Sequence, residues 1–156
     1  MTRVPVGVVG VGALGQHHAR HLAANPEAEF VGIFDVDPAR ADAIAAATGT
    51  RAFHDLDQLL ARVRGVSVAV PTPAHAEVGL HVLGRGVAVL MEKPLAATLA
   101  EADALIAAAD RQGVQLQVGH IERFNRALRA AEPWLHQPLF IESQRLASFQ
   151  PRGTDV

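Results

Sequence analysis

Val4–Gly15 reads VPVGVVGVGALG, and the fold is decided by how its two halves join. The first half is rich in β-branched valine and suits a buried strand, while the stretch that follows, Ala13 to Ala24, is compatible with a helix. Between them Gly10, Gly12 and Gly15 fall in the spacing G-x-G-x-x-G. Strand, tight turn and helix in this order give each glycine a task. Gly10 permits the turn, Gly12 lets the backbone approach a pyrophosphate, and Gly15 lets the helix pack closely on the strand. The helix N-terminus, with the backbone of Ala13 and Leu14, then faces the anion. Its unpaired N–H groups and positive dipole end stabilise phosphate charge without a lysine.

A bare glycine pattern is also met in turns of no function, so a second residue carries weight. Glu29 to Asp35, EFVGIFD, reads as another strand ending in an acid, and Asp35 lies about twenty residues beyond Gly15. An acid at that distance is placed to accept hydrogen bonds from the ribose of an adenine dinucleotide. The expected cofactor is therefore NAD. Arg40, five residues further on, is a candidate to stack on the adenine.

Composition narrows the function classes. At 156 residues, 49% of them hydrophobic, the chain can build one domain with a real core. Sixteen acidic and fourteen basic residues give a net charge of −2 and leave no basic field for nucleic acid. There is no cysteine, which excludes disulfides, thiolate metal sites and cysteine nucleophiles and fits a cytoplasmic protein. Val4 to Val11 is too short to span a bilayer and lacks a signal-peptide cleavage region. Eight histidines raise the question of a metal, since His17 and His21 are four apart. No acid or cysteine joins them nearby, and no metal is expected.

The pattern continues in alternation. Asp37-Pro38 starts a helix with an apolar stripe at Ala41, Ile44 and Ala45. Thr50 to Phe53 is a short strand, and Asp55 caps a helix bearing Leu56, Leu59, Leu60 and Val63. Val66 to Val70 is a fourth strand that runs into the loop Pro71-Thr72-Pro73. A helix over Ala74 to Leu83 precedes a fifth strand, Val87 to Met91, and Glu92-Lys93-Pro94 follows directly in the crevice position of an open parallel sheet. Thr98 to Glu101 forms a capping box, opening a helix whose buried face is expected at Leu99, Ala102, Ile106 and Ala109. Val114 to Val118 is a sixth strand. The expected class is an α/β fold with a doubly wound parallel sheet and right-handed crossovers, the Rossmann arrangement. It occupies residues 1–120. Beyond it a helix over Ile121 to Ala131, stopped by Pro133, and a strand over Leu139 to Phe149 are expected. Residues 121–156 cannot bury a core of their own and read as the opening of a second α/β domain that the chain does not complete.

At Glu92-Lys93-Pro94 the sequence resembles the Gfo/Idh/MocA oxidoreductases. The resemblance covers nearly the whole chain and is carried by Gly10 to Gly15, Asp35, Pro71-Thr72-Pro73-Ala74-His75, Glu92-Lys93-Pro94 and Gly119-His120-Ile121-Glu122-Arg123-Phe124-Asn125. Within the family, VGHIERFN and the terminal RLASFQPRGTDV are most like nucleotide-sugar 3-dehydrogenases such as those acting on UDP-N-acetylglucosamine. Inositol and other polyol dehydrogenases share the same N-terminal half. Family members are typically about twice this length and carry a catalytic histidine in a D-x-x-x-H motif, which is absent after Lys93 here.

The resemblance implies an NAD-dependent dehydrogenase that takes a hydride from a secondary alcohol of a sugar or nucleotide sugar. It implies that Lys93 is the catalytic residue on this chain, lowering the pKa of a substrate hydroxyl, and that Lys93-Pro94 is a cis peptide. Cofactor contacts are implied at Gly10, Gly12, Ala13, Leu14, Gly15, Asp35, Arg40, Thr72, Pro73, His75, Glu92 and Lys93, with His120 and Arg123 lining a substrate cleft. A homo-oligomer is implied for the full-length protein. Two other classes stay open: a non-catalytic dinucleotide-binding module, which needs no lysine at the nicotinamide end, and another Rossmann user such as a methyltransferase, which does not explain Glu92-Lys93-Pro94.

Overall fold

The computed structural model of the chain describes residues 2–144 and 146. Two compact units divide it after Gly119. The first holds six strands: β1 (Val4–Val9), β2 (Ala28–Phe34), β3 (Arg51–Phe53), β4 (Gly65–Val68), β5 (Ala88–Met91) and β6 (Leu116–Val118). Every pairing is parallel, and the order across the sheet is β3-β2-β1-β4-β5-β6. Five helices connect them: α1 (Gly15–Ala24), α2 (Pro38–Thr48), α3 (Leu56–Leu60), α4 (His75–Gly84) and α5 (Leu99–Gln112). This is the doubly wound Rossmann arrangement expected from the alternating pattern.

Strand alternation distributes the core to two faces. Val8 and Ile33 pack with Ala19 of α1 and Ala45 of α2 on one side. Val9, Val66, Val68, Val89 and Met91 pack on the other with Leu59 and Leu60 of α3, Leu83 of α4 and Leu105 of α5. Each valine, leucine, isoleucine or methionine among them, fully buried, contributes about 1.5–3 kcal/mol. Ser67 lies between Val66 and Val68, so its side chain projects to the α1 face. That one polar position in an apolar strand becomes important at the site.

Helix ends follow their sequence signals. The Asp37 side chain accepts from the Ala39 and Arg40 N–H groups, Asp55 from Asp57, and Thr98 with Glu101 makes the reciprocal capping box. The buried face of α5 differs from expectation. Leu105, Ala108 and Ala109 are buried, whereas Leu99 is 86% exposed and Ile106 is also exposed. Alanine is compatible with either face, so the leucine and isoleucine could be placed in two stripes, and packing against α4 and β6 chose the other one.

The second unit, described by itself, contains a 3-10 turn at Ile121–Phe124, a helix α6 (Arg126–Ala131) and a 3-10 turn at Glu132–Trp134. The single helix expected over Ile121 to Ala131 is thus broken. Asn125 is extended (φ −61°, ψ 126°), and its side chain caps α6 by accepting from the Ala127 N–H. No strand forms over residues 139–144 or at 146, contrary to the strand expected over Leu139 to Phe149; residues 145 and 147–149 lie outside those described. A strand requires a partner for its ladder, and among the described residues none is offered there. No residue from 120 to 144 is buried.

Candidate nucleotide-binding site

The sheet order reverses between β1 and β4, and parallel sheets of this kind bind ligands at the carboxyl ends of the strands beside that point. The turn between β1 and α1 is built there. Gly10 has φ +82°, a left-handed conformation that other residues adopt at a cost, and its N–H donates to the Phe34 carbonyl. A Cβ on Gly15 would collide with the Gly10 carbonyl oxygen, so α1 meets the loop backbone to backbone. Gly12 is different: a Cβ there would meet nothing within 4 Å. The loop presents bare backbone outward at Gly12. Among the described residues, the N–H groups of Gly12, Ala13, Leu14 and Gly15 have no hydrogen-bond partner, and no side chain caps α1. These are the donors an anion would take.

Asp35 follows β2 and is 5% exposed. Its Oδ2 accepts from the Val11 N–H (2.8 Å) and its Oδ1 from the Asp37 N–H (2.9 Å). The first of these ties the acid to the glycine turn itself. Arg40 donates to Asp35 Oδ1 and Asp37 Oδ2, each at 3.3 Å. A carboxylate has about four acceptor sites, so three donors leave room for one more, and the half-exposed Arg40 can yield another. The residues present fit an adenine dinucleotide: free donors and open space for its pyrophosphate, and a held carboxylate for its ribose. Arg40 here is the ion-pair partner of two aspartates, not a group standing free to stack on a base.

The neighbouring loops complete the edge. Thr72 and Pro73 form a 3-10 turn that leads into α4, with Thr72 buried and Pro73 exposed. His75 was implied as a cofactor contact. The structure turns it inward instead: it is 1% exposed, with Nδ1 2.8 Å from the Pro94 carbonyl oxygen and Nε2 3.0 Å from that of Val70. Both acceptors are carbonyls, so whichever ring nitrogen carries the proton donates to one of them. A histidine so engaged braces loops rather than touching a ligand.

Lys93 stands exposed just past β5, and Lys93-Pro94 is cis. It is the only lysine in the chain. Glu92, its neighbour, is 9% exposed and faces α1, where His18 Nε2 lies 2.9 Å from Oε1; Oε2 accepts from the Lys93 N–H at 3.2 Å. His18 Nδ1 is in turn 2.6 Å from Ser67 Oγ. An ionised Glu92 is acceptor-only, so His18 donates to it through Nε2, and Ser67 Oγ, which can both donate and accept, meets Nδ1. Among the described residues Lys93 forms no ion pair.

His120 and Arg123 belong to the second unit, where both are exposed and the Arg123 N–H donates to the His120 carbonyl. His17 and His21 are exposed on α1, and among the described residues no group of three metal-ligating side chains forms. His18 and Ser67 were not expected at the site. Their signals were present in the sequence: a serine within the valine-rich fourth strand, and a histidine three residues past Gly15 on the helix that faces it.

With that geometry in place, comparison with known proteins is decisive. The family model for the Gfo/Idh/MocA oxidoreductases, described as having the NAD-binding Rossmann fold, matches residues 4–120. The chain belongs to this family. The UDP-N-acetylglucosamine 3-dehydrogenase of Acidithiobacillus ferrooxidans is 39% identical over all of this chain and half of that protein. Its solved structure superposes with a TM-score of 0.83 over 87% of this chain and 43% of that one, at 38% identity. GenD2 from gentamicin A biosynthesis, solved in complex with NAD, gives a TM-score of 0.82 at 34% identity over 87% of this chain and 40% of that chain. Inositol 2-dehydrogenase of Rubrobacter xylanophilus is 38% identical over 79% of this chain and 37% of its own length. The chain thus spans half or less of the curated relatives it matches. Its cofactor class is NAD, and among its described residues no helix is long and apolar enough to cross a membrane.

Proposed function

We propose that this chain is the cofactor-binding half of a dehydrogenase that oxidises a secondary alcohol of a sugar or nucleotide sugar, the 3-hydroxyl of UDP-N-acetylglucosamine being the leading candidate. NAD, when bound, accepts the hydride. The free N–H groups from Gly12 to Gly15 hold its pyrophosphate, and Asp35 holds its adenosine ribose. Lys93 acts on the substrate: its ammonium favours loss of the hydroxyl proton and stabilises the oxygen charge that develops. Residues 121–156 open a substrate domain that contributes the remaining contacts, and the full-length protein works as a cytoplasmic homo-oligomer.

The observation that carries this reading is Lys93 itself. A binding module has no need of an ammonium at the end of β5. Here the sole lysine of the chain is exposed there, unpaired among the described residues, with its acidic neighbour turned away to His18. Similarity to the A. ferrooxidans enzyme supports the nucleotide-sugar substrate over inositol, because it extends through the residues after 120.

The test is an assay of NADH formation by the chain and by Lys93→Ala, with UDP-N-acetylglucosamine and a panel of polyols. Binding of NAD without turnover is expected. Without a substrate domain the alcohol is not held in a reactive geometry, a loss of roughly 7–11 kcal/mol in effective molarity. Lys93-dependent turnover by the chain alone would contradict the half-site assignment.

A further inference from the structure

Both neighbours of Lys93 are held by a histidine. On the amino side, Glu92 is bound by His18 of α1; on the carboxyl side, the Pro94 carbonyl lies against His75 of α4. The two histidines come from the helices that follow β1 and β4, the strands between which the sheet order reverses. Each ring also has a second polar neighbour: Ser67 Oγ for His18, and for His75 the Val70 carbonyl, the alternative acceptor to that of Pro94.

The chain Ser67–His18–Glu92 has the order of an acyl-transfer triad, but its position excludes that use. Ser67 is buried in mid-strand, under α1, where no substrate reaches Oγ. What remains is a brace. Its terminal carboxylate has one oxygen on His18 and the other on the Lys93 N–H. Without His18, Glu92 would be free to swing toward the only ammonium nearby in sequence.

We propose that His18 is a positioning residue for Lys93: oriented by Ser67, it locks Glu92 onto the Lys93 backbone and away from the Lys93 ammonium, with His75 holding the other side of the same turn. The inference rests on the assignment of Lys93 above, yet its test needs neither cofactor nor substrate. Because Lys93 is the only lysine, the 156-residue chain grown with 15N-lysine gives one backbone amide signal, that of Lys93.

Two variants separate positioning from simple space-filling. His18→Asn keeps a polar group near Ser67 but is too short to reach Glu92; His18→Gln restores an amide donor at about the distance of Nε2. In His18→Asn the Lys93 signal should move and its amide exchange should accelerate about tenfold. In His18→Gln both should stay near wild type, and His75→Leu should move the signal as His18→Asn does. A signal unmoved by His18→Asn, or moved equally by both His18 variants, would overturn the proposal. Should His18→Asn not fold, Ser67→Ala gives the same readout by unlocking the ring, and an unmoved signal there would overturn it. Failure of the catalytic assignment is read separately, from turnover by the full-length protein with and without Lys93→Ala, and has no bearing on the amide signal of the wild-type lysine.

Discussion

The N-termini of α1 and α5 solve the same problem in opposite ways. Both helices leave their first N–H groups without intrahelical partners. At α5 side chains satisfy two of them: Thr98 accepts from the Glu101 N–H, and the Glu101 carboxylate accepts from the Thr98 N–H as well as from that of Ala97 just before the helix. At α1 no side chain does so: Leu14 occupies the cap position with no side-chain bond, and the N–H groups from Gly12 to Gly15 have no partner among the described residues. The first end is closed and contributes stability; the second is held open at the reversal of the sheet, which is where function enters.

Breaking the open end through its backbone has the largest expected effect. Gly15→Val would drive a branched side chain into the Gly10 carbonyl, an overpacking that costs about 3 kcal/mol or more. For a chain of this size that lowers the midpoint of thermal unfolding by roughly 10 °C. Calorimetry should show this together with loss of NAD binding.

Asp35 sharpens the comparison chemically. Its carboxylate, oriented by Val11 and Asp37, can accept from a ribose 2′-hydroxyl but repels a 2′-phosphate. Titration with both cofactors should show a preference for NAD over NADP on the order of a hundredfold. Equal affinities would mean that Arg40 neutralises the phosphate.

Leu14→Asp would set a carboxylate beside the open end without capping it, because Leu14 has a helical backbone and the Gln16 and His17 N–H groups already donate to the Gly12 and Leu14 carbonyls. Stability should change little, while NAD binding should weaken about tenfold because the new charge opposes that of the pyrophosphate. The smallest effect is expected at the closed end. Thr98→Ala should cost about 1 kcal/mol of stability and leave NAD affinity unchanged.

The same contrast shows what the sequence made legible. The closed ends were visible because Asp37, Asp55 and Thr98 act on residues two or three positions away. The glycine turn and Asp35 were visible because the βα unit fixes their spacing. The stripe of α5 was misassigned because its alanines fit either face, and only packing with α4 and β6 separates Leu105 from Leu99 and Ile106. The histidine brace was hidden for a different reason. His18 meets Ser67 across 49 residues and Glu92 across 74, and no local pattern joins them until the sheet is assembled. His75 sat in a recognisable loop, yet the direction of its ring depends on carbonyls at Val70 and Pro94 that belong to different loops.

The most direct test of the central claim is calorimetric titration of the chain and of Gly12→Ala with NAD, beside their unfolding midpoints. An added methyl at Gly12 meets no protein atom, so the fold should be unaffected and the midpoint should stay within a few degrees of wild type. The methyl occupies the space through which the loop backbone meets the pyrophosphate, so affinity should fall at least about tenfold. Unchanged NAD affinity in a stably folded Gly12→Ala would contradict the account, because the open end of α1 would then not be where the cofactor binds.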